Sequence, residues 1–198
     1  HSHGLNVMLK AQVTGPRLAW LGLFAPSADT IGVRDIWFSE FTDFVAHYAK
    51  IAEEENCEMF CTGVEIDPTT DDPEEAELWA SQVMPAVRDS YSGPVVLAAL
   101  WPILYEGTPK PRIWNLMDFA GIDAYFPLYD SSRYADPPWP PSESSGIQHP
   151  DTADLRWNTQ LGWEYVRIPR LKALCYSAQK PIVFPEIGYR SIDSTAFY

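Results

Sequence analysis

Short apolar runs alternate with amphipathic stretches along most of the chain. The runs that have the length and continuous hydrophobicity of strands covered on both faces span residues 5–13, 58–64, 94–100, 122–126 and 181–184. Between them, apolar residues recur at helical spacing over residues 39–56, 73–91, 112–119 and 155–178. This strict alternation of strand and helix predicts a single α/β domain over residues 1–198, with a parallel sheet and helices outside it.

Local signals predict where the helices begin. Ser39 is a suitable N-cap for the first helix, and Pro73, followed by three acidic residues, is typical of the first turn of the second. Pro169 predicts either a kink or a fresh start within the last helix.

Two parallel architectures fit this order of elements. A doubly wound sheet normally carries a Gly-rich phosphate turn, and neither G-x-G-x-x-G nor G-x-x-x-x-G-K-[ST] occurs in this chain. A (β/α)8 TIM barrel places its chemistry at the C-terminal ends of its strands. In this chain the chemically active side chains fall at the predicted strand ends, and the sequence therefore favours the barrel. These side chains are Lys10, Gln12, Glu65, Trp101, Tyr125 and Glu186.

The length of the chain changes that picture. A full barrel takes eight strands and typically about 250 residues. The 198 residues contain five strand patterns, so we expect a partial barrel.

The formal net charge of -13 narrows the expected partners. It disfavours a broad interface with nucleic acid or an anionic membrane, and no apolar run reaches the about 18 residues of a membrane span. We expect a neutral substrate and a secreted protein, with a cytoplasmic one as the alternative.

The metal-binding and sulfur-containing residues add little chemistry. Three cysteines do not form a disulfide framework, and we expect buried free thiols at Cys57, Cys61 and Cys175. No cluster of His, Cys and acidic residues has metal-ligand spacing, so we expect no catalytic metal and no cofactor. His1 and His3 suit Cu(II) only if residue 1 is the true N-terminus, and a processed end is the favoured interpretation.

Two glutamates stand directly after apolar strands, where a carboxylate is expected only if it emerges at the rim. They are Glu65 and Glu186. Cleavage of a glycosidic bond needs two carboxyl groups, about 5–5.5 Å apart in the retaining mechanism. Strands on opposite sides of a barrel can bring such residues together. Ordinary rim acids or salt-bridged acids are the alternative that the spacing leaves open.

Four segments resemble a known family. GVEI (63–66), GIDAYFPL (121–128) and FPEIGYRS (184–191) are similar to the strand-four, strand-six and strand-seven segments of glycoside hydrolase family 113, and GLNVMLKAQV (4–13) is similar to its third strand. That family contains retaining β-mannanases built on a (β/α)8 barrel. Val64 stands where many members of the wider clan have Asn, which fits family 113. Pro185 stands where Thr or Ser is expected before the nucleophile.

The resemblance implies roles for individual residues. Glu65 would be the general acid/base, with a pKa raised by burial near Glu186. Glu186 would be the nucleophile, kept ionised by hydrogen-bond donors that include Tyr125. Lys10 and Trp101 would line the substrate cleft. The resemblance also implies that the first two strands and the last strand of the barrel are absent from this chain.

The remaining tryptophans divide into two groups. Trp139 and Trp157 are equally plausible as sugar-stacking platforms or as packing residues, whereas Trp79 and Trp114 fall on helical patterns and are expected in the core. The Pro- and Ser-rich connection 127–154 is either a wall that contacts substrate or a surface insertion.

The resulting hypothesis is a retaining glycoside hydrolase that cleaves a neutral β-linked polysaccharide, with endo-β-1,4-mannanase as the first choice. An oligo- or polysaccharide is then its partner. The alternative is a non-catalytic carbohydrate-binding or structural protein built on a truncated barrel. A different glycan or a transglycosylase reaction stays open within the enzyme class.

Overall fold

A computed structural model describes residues 4–15, 24, 26, 32–104, 110–125 and 168–188. Within this part of the chain, five parallel strands form one sheet, and each strand pairs with its neighbours in sequence. They are β1 (Met8–Lys10), β2 (Met59–Val64), β3 (Val95–Leu100), β4 (Phe119–Ala124) and β5 (Ile182–Ile187). This singly wound order is that of a partial (β/α)8 barrel and differs from a doubly wound sheet, in which the strand order reverses.

Helical segments connect the strands. They are α1 (Val33–Glu54), α2 (Pro68–Asp71), α3 (Pro73–Leu78), a π-helical segment (Trp79–Val83), α4 (Met84–Ser90), two 3-10 segments (Trp101–Leu104 and Arg112–Leu116) and α5 (Ile168–Ala178). Among the described residues, none of these helices is long and apolar enough to cross a membrane.

The first helix begins earlier than its sequence signal predicts. Its N-cap is Gly32, with φ 85° and no capping side chain, and Ser39 lies on its exposed side. The prediction of Ser39 as the N-cap is therefore wrong. Aromatic packing explains the extension, because Trp37 stacks on Phe41 at 4.8 Å between ring centroids and Phe38 is fully buried.

The predicted helix over residues 112–119 is also wrong in its second half. The 3-10 segment ends at Leu116, and β4 begins at Phe119. Asp118 explains the change, because its carboxylate accepts hydrogen bonds from the Arg88 side chain and from the Val95 backbone N–H, at 2.9 and 2.8 Å. These bonds hold Asp118 beside the start of β3, so that the next residue, Phe119, pairs with Val96 of that strand.

The other element boundaries move less. The described part of the predicted helix 155–178 is Ile168–Ala178, and the role of Pro169 as a kink or a fresh start stays a prediction. The first strand covers only Met8–Lys10 of the predicted residues 5–13, so Gln12 lies beyond it and is exposed.

The middle strands of the sheet are buried on both faces. Val95, Leu97 and Ala99 of β3 join the large core cluster between sheet and helices, whereas Val96 and Ala98 join a smaller cluster on the opposite face. Trp79 and Trp114 lie in the large cluster, as the helical pattern predicts. The three cysteines are free: Cys61 is buried, as expected, but Cys57 and Cys175 are only half-buried.

Candidate active site

Strand register brings the predicted site residues to one end of the sheet. Asp123 lies opposite Leu100 on one side and opposite Glu186 on the other. Lys10 ends β1, and Glu65 follows β2 directly. Since all strands are parallel, these residues share the C-terminal edge, where barrel enzymes carry their chemistry.

Glu65 leaves its strand through an unusual backbone conformation. Its φ is 51°, in the left-handed region that non-glycine residues seldom adopt, while its backbone N–H donates to the Ala98 carbonyl at 2.8 Å. The backbone is therefore still bound to β3 at the residue where it turns. Such strained positions occur preferentially at functional sites.

Glu186 receives one hydrogen bond on each carboxylate oxygen. The Lys10 ammonium group donates to Oε1, and the Tyr125 hydroxyl donates to Oε2 at 2.8 Å. Partial burial works to raise the pKa of Glu186, but the two donors outweigh it, and the pKa is lowered. Glu186 is therefore held as an oriented carboxylate, in line with the ionised state that the sequence analysis assigns to it.

Asp123 is the second partner of Lys10. It is fully buried, and its two oxygens accept hydrogen bonds from the Lys10 ammonium group at 2.9 and 3.0 Å. Burial raises the pKa of Asp123 to about 6; Lys10 opposes the rise, and the charges of Glu186 and Glu65 add to it. Lys10 thus links a buried carboxylate to the more exposed Glu186.

Electrostatic coupling connects Glu65 to the same group of residues. The charges of both Glu65 and Glu186 raise the pKa of Asp123. The pKa of Tyr125 is raised to about 12, first by its hydrogen bond to Glu186 and then by burial and the surrounding charges, including Glu65. The charges of both glutamates therefore act on Asp123 and Tyr125 at this edge of the sheet.

A further acid, Asp67, lies two residues after Glu65. Its carboxylate accepts a hydrogen bond from the Leu100 backbone N–H at 3.0 Å. Burial raises the pKa of Asp67 to about 7; the bond from Leu100 opposes the rise, and the charge of Glu65 adds to it. This residue joins the loop after β2 to the end of β3.

The structure brings together most of the residues expected to form the site. Lys10 and Tyr125 both donate to Glu186, and Glu65 follows β2 at the same edge of the sheet, so its role as acid/base stays a prediction. Trp101 begins the 3-10 segment after β3, where it is half-buried and packs against the core cluster, so its role as a sugar contact stays a prediction. Trp139 and Trp157 lie outside the described residues.

Sequence reasoning missed Asp123 and Asp67 as site residues. A signal for Asp123 was present, because a carboxylate within the apolar strand FAGIDA needs a buried partner, and Lys10 is a cation in another strand. Asp67 carries no comparable signal, since the acidic stretch that it begins is typical of a solvated loop. Within the described part of the chain, no group of His, Cys, Asp or Glu is arranged to hold a metal ion.

Comparison with known proteins agrees with the architecture. The family model of Glycoside Hydrolase Family 113 matches residues 1–198. Among solved structures, a GH113 β-1,4-mannanase is 24% identical and superimposes with a TM-score of 0.70, covering 98% of this chain and 51% of its own. The GH113 β-mannanase AaManA from Alicyclobacillus acidocaldarius, in complex with ManMIm, is 26% identical with a TM-score of 0.66, covering 99% of this chain and 50% of its own.

A third structure, a complex of a GH113 β-1,4-mannanase, is 24% identical with a TM-score of 0.68 and covers 98% of this chain. This chain spans about half the length of these solved relatives, at 50–51%. No curated protein sequence matches it.

Proposed function

We propose, because the chain belongs to glycoside hydrolase family 113, that it carries the catalytic pair of a retaining glycoside hydrolase. The observation that carries the proposal is the setting of Glu186, whose carboxylate oxygens accept hydrogen bonds from Lys10 and Tyr125, at the same C-terminal edge of the sheet where Glu65 follows β2. One oriented, ionised carboxylate and a second carboxyl group at the same end of the barrel suit double displacement.

The first step would use both glutamates. Glu186 attacks the anomeric carbon, the bond from that carbon to the leaving oxygen breaks, and Glu65 gives its proton to that oxygen. In the second step Glu65 takes a proton from water, the hydroxyl adds to the anomeric carbon, and the bond to Glu186 breaks. Both glutamates then return to their starting protonation states.

The Lys10–Asp123 pair suits this cycle. When Glu186 becomes an ester it loses its negative charge, and the ammonium group beside it would be left with one partner fewer. Asp123 holds that ammonium group by two hydrogen bonds throughout, so Lys10 keeps its place for the second step. Tyr125 fixes the other oxygen of Glu186, which aims the attacking oxygen.

A β-1,4-mannan is the proposed substrate. The similar solved structures are named as β-mannanases, and the net charge of -13 disfavours a polyanionic glycan. A secreted location, which would give access to such a polysaccharide, stays a prediction.

Paired variants test the catalytic assignment. Glu186→Ala should abolish hydrolysis of mannohexaose, whereas Glu65→Ala should lower it by about 10²–10⁴-fold. With 2,4-dinitrophenyl β-mannoside, whose leaving group needs no proton, azide should restore turnover in Glu65→Ala by replacing the water that needs a base. Glu54→Ala, on the exposed side of α1, is the matched control. Full activity in both site variants would refute the proposal.

The alternative from the sequence analysis, a carbohydrate-binding protein without turnover, makes different predictions. It predicts that mannohexaose binds, that no product forms, and that Glu186→Ala leaves the affinity unchanged. Calorimetric titration together with product analysis separates the two candidates.

A further inference from the structure

The carboxyl group of Asp67 bridges two segments at the C-terminal edge of the sheet. Its oxygens lie 3.0 and 3.3 Å from the backbone nitrogen of Leu100, which is the last residue of β3. Asp67 itself stands two residues after Glu65, and Trp101 directly follows Leu100. The bridge therefore joins the loop that bears one candidate catalytic residue to the segment that bears a candidate sugar contact.

We propose that Asp67 is a positioning residue that fixes Glu65 relative to the end of β3 and to Trp101. The inference rests on the proposed function, since it concerns the placement of the acid/base of that reaction. Asp67 would act through the backbone and through Glu65, without touching the substrate.

The surrounding backbone gives this bridge its importance. The Asp67 carbonyl accepts hydrogen bonds from the Thr70 N–H and hydroxyl, at 2.9 and 2.8 Å, and the Ile66 carbonyl accepts the equivalent pair from Thr69. The turn is therefore stiff within itself. The Asp67 carboxyl group and the N–H of Glu65 both bind this turn to β3, so loss of the carboxyl group should loosen the turn at the end that bears Glu65.

The charge of Glu65 also acts on Asp67. The charged groups that act on it are Glu65 and Asp71, and both oppose loss of its proton.

Two substrates separate positioning of the acid from general damage to the fold. We expect Asp67→Ala to lower kcat/KM for mannohexaose by about 10- to 10²-fold. The upper limit is the loss that a misplacement of a catalytic group by about 1 Å causes. For 2,4-dinitrophenyl β-mannoside, kcat/KM should change little, because the first step then needs no acid. Asp67→Asn, which keeps an acceptor for the Leu100 N–H, should restore most of the loss.

Asp71→Asn is the matched control, because it removes the same charge from the same short turn. It should leave the ratio of the two kcat/KM values unchanged. An equal loss on both substrates in Asp67→Ala, or activity in that variant equal to that of the unsubstituted protein, overturns the inference.

Failure of the proposed function has a different signature, namely no hydrolysis by the unsubstituted protein. The role of Asp67 is then tested without substrate, by following with NMR the exchange of the Glu65 amide hydrogen, which is bonded to the Ala98 carbonyl. Asp67→Ala must speed that exchange relative to Asp71→Asn, and equal exchange in the two variants overturns the inference.

Discussion

The ammonium group of Lys10 donates to both carboxylate oxygens of Asp123, at 2.9 and 3.0 Å. Asp123 is fully buried, and 14% of the Lys10 side chain is exposed, so the pair is largely withdrawn from water. The same ammonium group reaches Glu186. A buried pair of this kind contributes modestly as a whole, but removal of one partner leaves an uncompensated charge inside the protein.

Lys10→Met should therefore destabilise the protein strongly at pH 8. We expect a loss of about 3–5 kcal/mol in the free energy of unfolding, the usual result of orphaning a buried charge. At pH 5 the loss should be smaller, because Asp123, whose pKa burial already raises to about 6, is then protonated. Urea unfolding at the two pH values measures the difference.

Lys50→Met is the matched control for this prediction. Lys50 forms an exposed pair with Glu54 on α1 at 3.8 Å, and its removal should change stability by about 0.5 kcal/mol or less. Adding Asp123→Asn to Lys10→Met should recover much of the lost stability. Equal losses in Lys10→Met and Lys50→Met would contradict the role assigned to the buried pair.

Tyr125→Phe should change the pH dependence of catalysis more than stability. The hydroxyl donates to Glu186 and helps to lower its pKa, so its removal should raise that pKa. The acid limb of the kcat/KM profile for the proposed reaction, in which Glu186 would have to be ionised, should then move to higher pH. Stability should change by less than about 0.5 kcal/mol because the side chain is exposed. Tyr176→Phe, on the exposed face of α5, should leave the profile in place.

Asp67 should make the protein less stable as the pH rises from 5 to 8. Burial raises its pKa to about 7 in the folded state, so folding binds a proton that the unfolded chain releases near pH 4. That contribution is complete at low pH and is lost as the pH passes 7. We expect a smaller fall in Tm between pH 5 and pH 8 in Asp67→Asn, measured by calorimetry. An identical fall in both proteins would contradict the raised pKa.

Gly121→Ala should disrupt the sheet next to the site. A Cβ atom at Gly121 would lie 2.2 Å from the Leu97 carbonyl oxygen, which belongs to the backbone of the neighbouring strand and cannot move aside. We expect a loss of stability of at least about 1–3 kcal/mol, typical of overpacking. Gly63→Ala should be milder, since its shortest contacts, at 2.9 Å, are with the ends of the Ile66 and Leu97 side chains. Urea unfolding ranks the two, and the reverse order would count against this account.

The sequence pattern predicted the layout well where burial alone decides it. Apolar runs marked β2 and β3 to within one residue, because a strand covered on both faces must be apolar throughout. It failed at α1 and at residues 117–119, where an aromatic cluster and the side chain of Asp118 override local propensity. Propensity describes a residue in isolation, and these positions are set by partners distant in the chain.

The sequence by itself determined the parallel α/β order, the family resemblance, and the position of Glu65 and Glu186 at the ends of apolar strands. Only the tertiary structure decided that Lys10 would meet both Asp123, 113 residues away, and Glu186, 176 residues away. It also decided that Asp67 would bind the end of β3. Such contacts follow from strand register and loop closure, which depend on the packing of the whole sheet, and no local spacing in the chain encodes them.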